Sequence, residues 1–493
     1  MSISKNTGFN LLKFAIAFYL AFMTGCSSLP KMVPDMEVQA RPVQVEGARG
    51  PLSAKQSQAI IKKLQDRTQG NTNIFDRHLA LEEAIVGSPL IVGNKVTLLM
   101  DGPTTYKAMF DAIEKAKDHI NLETYIFDPD EIGQKFADTL IAKQQSGVQV
   151  NVIFDSVGAL NTPVEFFQRM RDSGIKVLEY NPVNPLKLRK GWDVNQRDHR
   201  KLLIIDGHTA FVGGINISGV YSSSSGGGSS MSGSGSGSSG SGKSGKADKS
   251  KDKKDDKDGK GIEDIPWRDT HIRIEGPVVS EFQKLFIGSW ETQKGEPLTP
   301  RDYLPKQQSK GQQVVRAIGS SPNEPYSQIY VTLISAINSA ETSIHITNAY
   351  FVPDPQLKDA LKNAAARGVD VKMILPGKTD SSFVWYASRS HYTDLLKGGI
   401  HIYERQDALL HAKTAVIDGV WSTIGSTNLD WRSFLHNQEL DAVVLGHDFG
   451  SQMTDMFSMD LEGSHEITLE QWKERPLLDR MKEMGARLWA RWL

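Results

Sequence analysis

The chain has 493 residues, 39% of them hydrophobic, and a formal net charge of −1. That length exceeds one ordinary hydrophobic core, so two domains are expected, each with enough apolar content to bury. The near-neutral charge excludes bulk attraction to nucleic acid, though not a local basic site.

The N-terminus reads as an export signal. Lys5 and Lys13 frame an apolar run from Phe14 to Met23, short for a spanning helix and closed by small residues. The run ends in Met23-Thr24-Gly25-Cys26-Ser27-Ser28, which resembles the bacterial lipoprotein box, with Met23 where that box prefers leucine. Residues 1–25 then form a signal peptide, and Cys26 is the lipidation site. Cys26 is the only cysteine, so no intrachain disulfide is possible. Lipidation would hold the chain at a bilayer, and Ser27 points, by the same resemblance, to the periplasmic face of the outer membrane. The alternative is an uncleaved signal anchor with an incidental cysteine. Residues 26–77 are expected to be a polar tether leading into a short helix near Lys55–Gln65.

Regular patterning starts near His78. Tyr106, Phe110, Ile113 and Ala116 fall at helical spacing, and residues 120–127 read as a strand. The same helix returns at Leu333, Ile337 and Ala340, and the same strand at residues 344–351. Strands opening at Gly147 and Gly174 are matched by strands opening at Gly368 and Gly399. The pairs Ile113/Ile337, Gly147/Gly368 and Gly174/Gly399 are offset by 224, 221 and 225 residues, a near-constant shift that marks a duplicated lobe. Strands alternating with helices predict an α/β fold of two lobes, 78–305 and 306–493, each a mixed, mostly parallel sheet flanked by helices. Residues 221–262 break the pattern with Ser/Gly repeats and a Lys/Asp run. They are expected to be a disordered, tolerated surface insertion, with a flexible lid or lipid contact as the alternative. After Pro476, Leu477, Met481, Met484, Leu488 and Trp492 form one helical stripe. Packing on the second lobe is its expected use; a bilayer interface, with Trp489 and Trp492, is the alternative.

One motif occurs in both lobes. His199, Lys201 and Asp206 recur as His411, Lys413 and Asp418 at identical spacing. Each set is followed at one distance by a small-residue turn and an asparagine: Gly213-Gly214-Ile215-Asn216 and Gly425-Ser426-Thr427-Asn428. On a strand, period-two geometry puts each histidine and its lysine on one face. Asp206 and Asp418 have the opposite parity and precede glycine, so they predict hairpin turns and a scaffold role. Gly214, Ser426, Asn216 and Asn428 are expected to offer backbone and amide donors to phosphate oxygens. A histidine can act as nucleophile or as proton donor near neutral pH, while lysines hold phosphoryl charge.

These paired motifs resemble the phospholipase D superfamily, and the resemblance covers about residues 78–493. It implies one composite site at the pseudo-twofold interface of the lobes, a covalent phospho-histidine, and no metal or cofactor. It assigns His199 as nucleophile and His411 as acid and then base, with the reverse assignment open. It also implies a carboxylate behind each histidine. Glu439 lies 28 residues after His411, and its counterpart Asp269 lies 70 after His199; the excess of 42 equals the length of the insertion at 221–262. Further segments are similar to bacterial cardiolipin synthases: Arg197–Lys201, Pro266–Asp269, Tyr350–Asp354 and Leu410–Lys413. The implied partners are phospholipids, phosphatidylglycerol first, at a membrane, with no nucleic acid. Hydrolysis to phosphatidic acid, a secreted nuclease and a non-catalytic envelope scaffold are the alternatives.

Overall fold

The computed structural model describes residues 42–67, 73–184, 193–223 and 265–489. Cys26 and residues 224–262 of the predicted insertion lie outside them. The first described segment holds β1 (Val45–Gly47), β2 (Gly50–Pro51) and α1 (Ala54–Gln65), and the second opens with a π-helical turn at Ile74–His78 and α2 (Leu79–Ile85).

The first lobe follows with β3 (Leu90–Leu99), α3 (Gly102–Lys115), β4 (His119–Thr124), α4 (Glu131–Gln145), β5 (Gln149–Asp155), α5 (Val164–Asp172) and β6 (Lys176–Tyr180). It closes with β7 (Arg197–Asp198), β8 (Leu202–Ile205), β9 (Thr209–Gly213), a 3-10 turn at Gly219–Tyr221, β10 (Trp267–Arg268), β11 (His271–Glu275) and α6 (Val279–Thr292). The second lobe repeats the plan with β12 (Gln313–Ser320), α7 (Gln328–Ser339), β13 (Ser343–Asn348), α8 (Pro355–Ala366), β14 (Asp370–Pro376), α9 (Ser382–Arg389), α10 (Tyr392–Lys397) and β15 (His401–Arg405). It ends with β16 (Leu409–Leu410), β17 (Lys413–Ile417), β18 (Trp421–Gly425), α11 (Trp431–Leu435), β19 (Asn437–Leu445), α12 (His447–Glu462), β20 (Ser464–Ile467), α13 (Leu469–Lys473) and α14 (Leu477–Leu488).

The strand order shows the duplication directly. Lobe one runs β6-β5-β4-β8-β9-β11-β3, and lobe two runs β15-β14-β13-β17-β18-β19-β12 with the same senses. Each sheet is mixed. The outer three strands are parallel because helices connect them, and the inner strands are antiparallel, with tight hairpins at β8–β9 and β17–β18. β3 pairs antiparallel with β12, Val315 facing Ile91, so the two sheets are continuous. One apolar core, with Ile204, Val212, Ile272 and Phe282 from lobe one and Val315, Ile424, Leu440 and Val444 from lobe two, fuses the lobes.

The Asp-Gly hairpins explain the motif aspartates. Asp206 and Gly207 sit at φ 52° and 64°, and Asp418 and Gly419 at 51° and 62°. Two successive positive φ angles are the signature of a type I′ turn. The Asp206 carboxylate accepts the backbone N–H groups of Lys117, Asp118 and His119, the start of β4. Asp418 accepts those of Glu341, Thr342 and Ser343, the start of β13. Each aspartate therefore locks the motif hairpin to the neighbouring antiparallel strand, β4 or β13.

Two expectations change. The predicted tether does not extend to residue 77: β1 pairs parallel with β3, and the Ser57 hydroxyl accepts the Val45 N–H, so residues 45–65 join the fold. The C-terminal helix α14 is present, but it packs through its polar side. Glu483 and Ala486 are buried, whereas Leu477, Met481, Met484 and Leu488 are exposed. Among the described residues no helix is long and apolar enough to cross a membrane.

Asp206→Ala removes three hydrogen bonds to a charged acceptor. It is expected to lower unfolding stability by about 2–4 kcal/mol in a denaturant titration. The same change at Asp418 is expected to cost at least as much, because Asp418 also accepts the Thr342 hydroxyl.

Candidate active site

The histidines are placed by backbone pairing between lobes. β7 pairs parallel with β19, Asn437 facing Arg197 and Gln438 facing Asp198, and the His199 N–H donates to Gln438 O at 2.9 Å. β10 pairs parallel with β16, Trp267 facing Leu409, and the His411 N–H donates to Arg268 O at 2.8 Å. Each histidine thus stands beside the carboxylate segment of the opposite lobe.

That pairing crosses the carboxylates. His199 Nδ1 meets both Glu439 oxygens at 3.1 Å, and His411 Nδ1 meets Asp269 Oδ2 at 2.7 Å. Counting residues from each histidine matched Glu439 to His411 and Asp269 to His199, which is the wrong partner in both cases. Spacing along one lobe finds the equivalent residue, but the partner comes from the other copy. Donation from Nδ1 leaves each Nε2 as the reactive nitrogen.

The supports differ on the two sides. Glu439 accepts the Ser426 hydroxyl at 2.5 Å and the Asn437 amide at 3.2 Å. Burial pushes Glu439 up to about 7, against the lowering effect of Lys201 and these hydrogen bonds. Burial also pushes Asp269 upward, but His411, its hydrogen bond and Lys413 outweigh it and hold the carboxylate below its ordinary value. Arg268 grips Asp460 with two bonds of 2.8 Å while donating to Asp269 O, which fixes this segment against lobe two.

Both lysines are buried beside their histidines. Each ammonium donates to the carbonyl of its own motif histidine, Lys201 to His199 and Lys413 to His411. Burial brings Lys201 down to about 7 and Lys413 down to about 8, with Glu439 and Asp269 opposing the drop. Burial, Lys201 and Lys413 lower His199 well below the ordinary histidine value. Burial and Lys413 lower His411 too, but Asp269 pulls it back up. Desolvated cations beside both histidines suit the charge of a phosphoryl group in transfer.

The glycine-turn residues do other work than phosphate donation. The Gly214 N–H donates to Thr270 O and the Ser426 N–H to Leu440 O, so strand pairing consumes both. A Cβ on Gly214 would lie 2.2 Å from Asp269 Oδ1, so the residue makes room for that carboxylate. The Asn216 amide donates to the Tyr221 hydroxyl at 3.2 Å, and its oxygen accepts the Ile126 N–H at 3.1 Å. Asn428 is also buried, and its Oδ1 has no hydrogen-bond partner among the described residues. Of the four, Asn428 retains unspent capacity toward a ligand.

Several aromatic residues of the site were missed. The Tyr125 ring lies 5.1 Å from the His199 ring, and Lys201 Nζ lies 5.2 Å over it. Tyr350, at the exit of β13, lies 6.3 Å from His411 and donates to Asp380 at 2.7 Å. It is one position out of register with Tyr125: its carbonyl accepts the Leu429 N–H as that of Ile126 accepts the Ile217 N–H, so the repeat brings a tyrosine to each histidine from different positions. Tyr221 and Trp267 also flank His411, with ring centroids at 5.8 and 5.4 Å. They have no equivalent in the other motif that sequence could expose. Among the described residues no three His, Cys, Asp or Glu side chains gather as a metal site.

Residues 109–223 and 333–461 match the family model described as cardiolipin synthase, PLD-like domain. The chain is 34% identical over 412 residues to a cardiolipin synthase of Geobacillus sp. (strain WCH70), covering 83% of this chain and 74% of that one. It is 34% identical over 399 residues to the major cardiolipin synthase ClsA of Bacillus subtilis (strain 168), covering 80% and 74%. The chain belongs to the cardiolipin synthase family of the phospholipase D superfamily. It is an enzyme, of the phosphatidyltransferase type. Its fold is also similar to the crystal structure of phosphatidylserine synthase from Haemophilus influenzae Rd KW20, with a TM-score of 0.59 at 14% identity, over 84% of this chain and 99% of that one.

Gly214→Ala tests the crossed geometry in this cardiolipin synthase family member. Its Cβ displaces Asp269, so activity is expected to fall about 10²–10⁴-fold, as when a histidine loses its orienting carboxylate. The pH profile follows from the shifts above. Activity is expected to peak narrowly near pH 7: it rises as Glu439, at about 7, ionises, and falls as Lys201, at about 7, and then Lys413, at about 8, lose their protons.

Proposed function

We propose that the enzyme makes cardiolipin from phosphatidylglycerol through a covalent phosphatidyl-histidine, without a metal. The observation that carries this reading is the pair of buried histidines, each closed on a carboxylate of the opposite lobe and each beside a lysine. Such a constellation supplies a nucleophile, a proton donor and fixed positive charge together.

The two environments support distinct roles. His199 is surrounded by cations and backed by a carboxylate that burial holds near 7, which favours a neutral imidazole. His411 faces the carboxylate that stays ionised, which stabilises its imidazolium. In the first step His199 Nε2 attacks the phosphorus of one phosphatidylglycerol. The bond to the glycerol headgroup breaks, and the His411 proton goes to the leaving oxygen. Lys201 and Lys413 hold the non-bridging oxygens, and the buried Asn428 Oδ1 is left to accept from a lipid hydroxyl. In the second step His411, now neutral, takes the proton of a hydroxyl on a second phosphatidylglycerol. That oxygen attacks phosphorus, the N–P bond breaks, and cardiolipin leaves. Water in place of the second lipid would give phosphatidic acid.

The lysine charges occupy the role that a metal fills in other phosphoryl-transfer sites. Attachment to a membrane through lipidated Cys26, at the periplasmic face of the outer membrane, belongs to the same proposal. Intact mass of the membrane-extracted protein tests it: an acylated N-terminal cysteine is expected, and an unmodified Cys26 contradicts the anchor.

For the reaction, phosphatidylglycerol vesicles are incubated with enzyme and EDTA, and lipids are analysed by mass. Cardiolipin with release of one glycerol is expected. Phosphatidic acid alone indicates hydrolysis, and turnover that requires added metal contradicts the mechanism. With radiolabelled lipid and a neutral quench, His411→Ala is expected to accumulate label on the protein while His199→Ala accumulates none.

A further inference from the structure

The C-terminal helix turns its apolar side outward. Leu477, Leu478, Met481, Met484, Leu488 and Trp489 are 52–80% exposed. Leu477, Met481, Met484 and Leu488 follow one another at steps of four, three and four, so they form one ridge. Asp479, Glu483 and Ala486 form the opposite ridge. Glu483 is held there by Arg475, at 3.0 and 2.8 Å, and by Arg389 at 3.9 Å. The helix is therefore anchored through a polar ridge and presents its apolar one. This inverts the ordinary arrangement of a surface helix, whose apolar face covers the core.

The flanks of the exposed ridge are basic. Arg480 and Arg487 border one side and Lys482 the other, and all three are exposed. The acidic residues of the helix, Asp479 and Glu483, lie on the inward side. An apolar ridge between basic flanks matches a bilayer with anionic headgroups. Two copies meeting through this ridge would bring their arginines and lysines together, so a second copy is the poorer occupant.

The helix is also connected to the active site. Tyr350 stands against His411 and donates to Asp380. Asp380 lies two residues before α9, whose Phe383 is 44% exposed. α9 packs on α14, where Lys482 Nζ donates to the Tyr386 hydroxyl at 3.0 Å. One short path thus joins the reacting histidine to the exposed ridge.

We propose that α14 is a membrane-docking helix. Its apolar ridge inserts into the headgroup region of an anionic phospholipid bilayer and brings the active-site mouth to the lipid surface. The choice of occupant rests on the phospholipid-substrate reading, and this contact is independent of any anchor at Cys26.

The test uses the full chain with Cys26→Ser and a single new cysteine, Met484→Cys or Ser458→Cys, carrying an environment-sensitive fluorophore. Ser458 is an exposed position on α12 and serves as the control. Vesicles are phosphatidylglycerol with a nitroxide-bearing lipid. The label at 484 is expected to be quenched at least fivefold more than the label at 458, and to become shielded from aqueous iodide. Unchanged iodide access at 484 on adding vesicles overturns the proposal. So does a vesicle-free dimer, seen by sedimentation, that already shields the label. The same insertion is expected with His199→Ala added, so the result stands apart from the transferase reading. Finally, the double change Met481→Glu and Leu488→Glu is expected to lower turnover of vesicles at least tenfold. Turnover of monomeric short-chain phosphatidylglycerol should stay within twofold. Wild-type turnover of vesicles by this variant overturns the proposal.

Discussion

The His199 N–H bonds to Gln438 O, and the His411 N–H bonds to Arg268 O. Through these two contacts each lobe lends its carboxylate segment to the other lobe's histidine. The rest of the site depends on them. They set each Nδ1 against a carboxylate, which leaves each Nε2 for the chemistry. Neither lobe holds a complete histidine–carboxylate pair by itself. The continuous sheet through β3 and β12 and the shared core keep the two halves in register. Duplication here is not redundancy, because each copy completes the other.

Similar halves need not be electrostatically equal. Asp269 carries a short contact to His411 and stays ionised, while burial pushes Glu439 up to about 7. Tyr221 and Trp267 crowd His411, whereas Tyr125 meets His199 edge to face. A pseudo-symmetric frame thus gives two imidazoles different proton affinities. That difference is what a two-step transfer needs, since one histidine must attack while the other donates.

Much of this was legible in the sequence, for identifiable reasons. The paired His-Lys motifs, the repeat offset and the Asp-Gly turns are local patterns, and the strands and hairpins follow them. Asp269 was legible because a 42-residue excess could be subtracted. Which carboxylate faces which histidine was not legible, because pairing between distant short strands leaves no spacing signal. The roles of Gly214 and Ser426 were misread for the same reason: strand neighbours take their N–H groups, and those neighbours are remote in sequence. The segment at 45–65 looked like tether because its strands are only three and two residues long. The stripe of α14 was visible from its period, but period alone does not say which side faces the protein. Burial of Glu483, held by Arg475, decides it.

The crossed pairing is the central claim, and ring-nitrogen NMR of 15N-histidine protein tests it most directly. Glu439→Gln is expected to shift the titration and tautomer signals of His199 and leave those of His411 in place, while Asp269→Asn does the reverse. Assignment comes from the His199→Ala and His411→Ala proteins. If Glu439→Gln instead moves His411, and Asp269→Asn moves His199, the lobes are self-contained and the account fails.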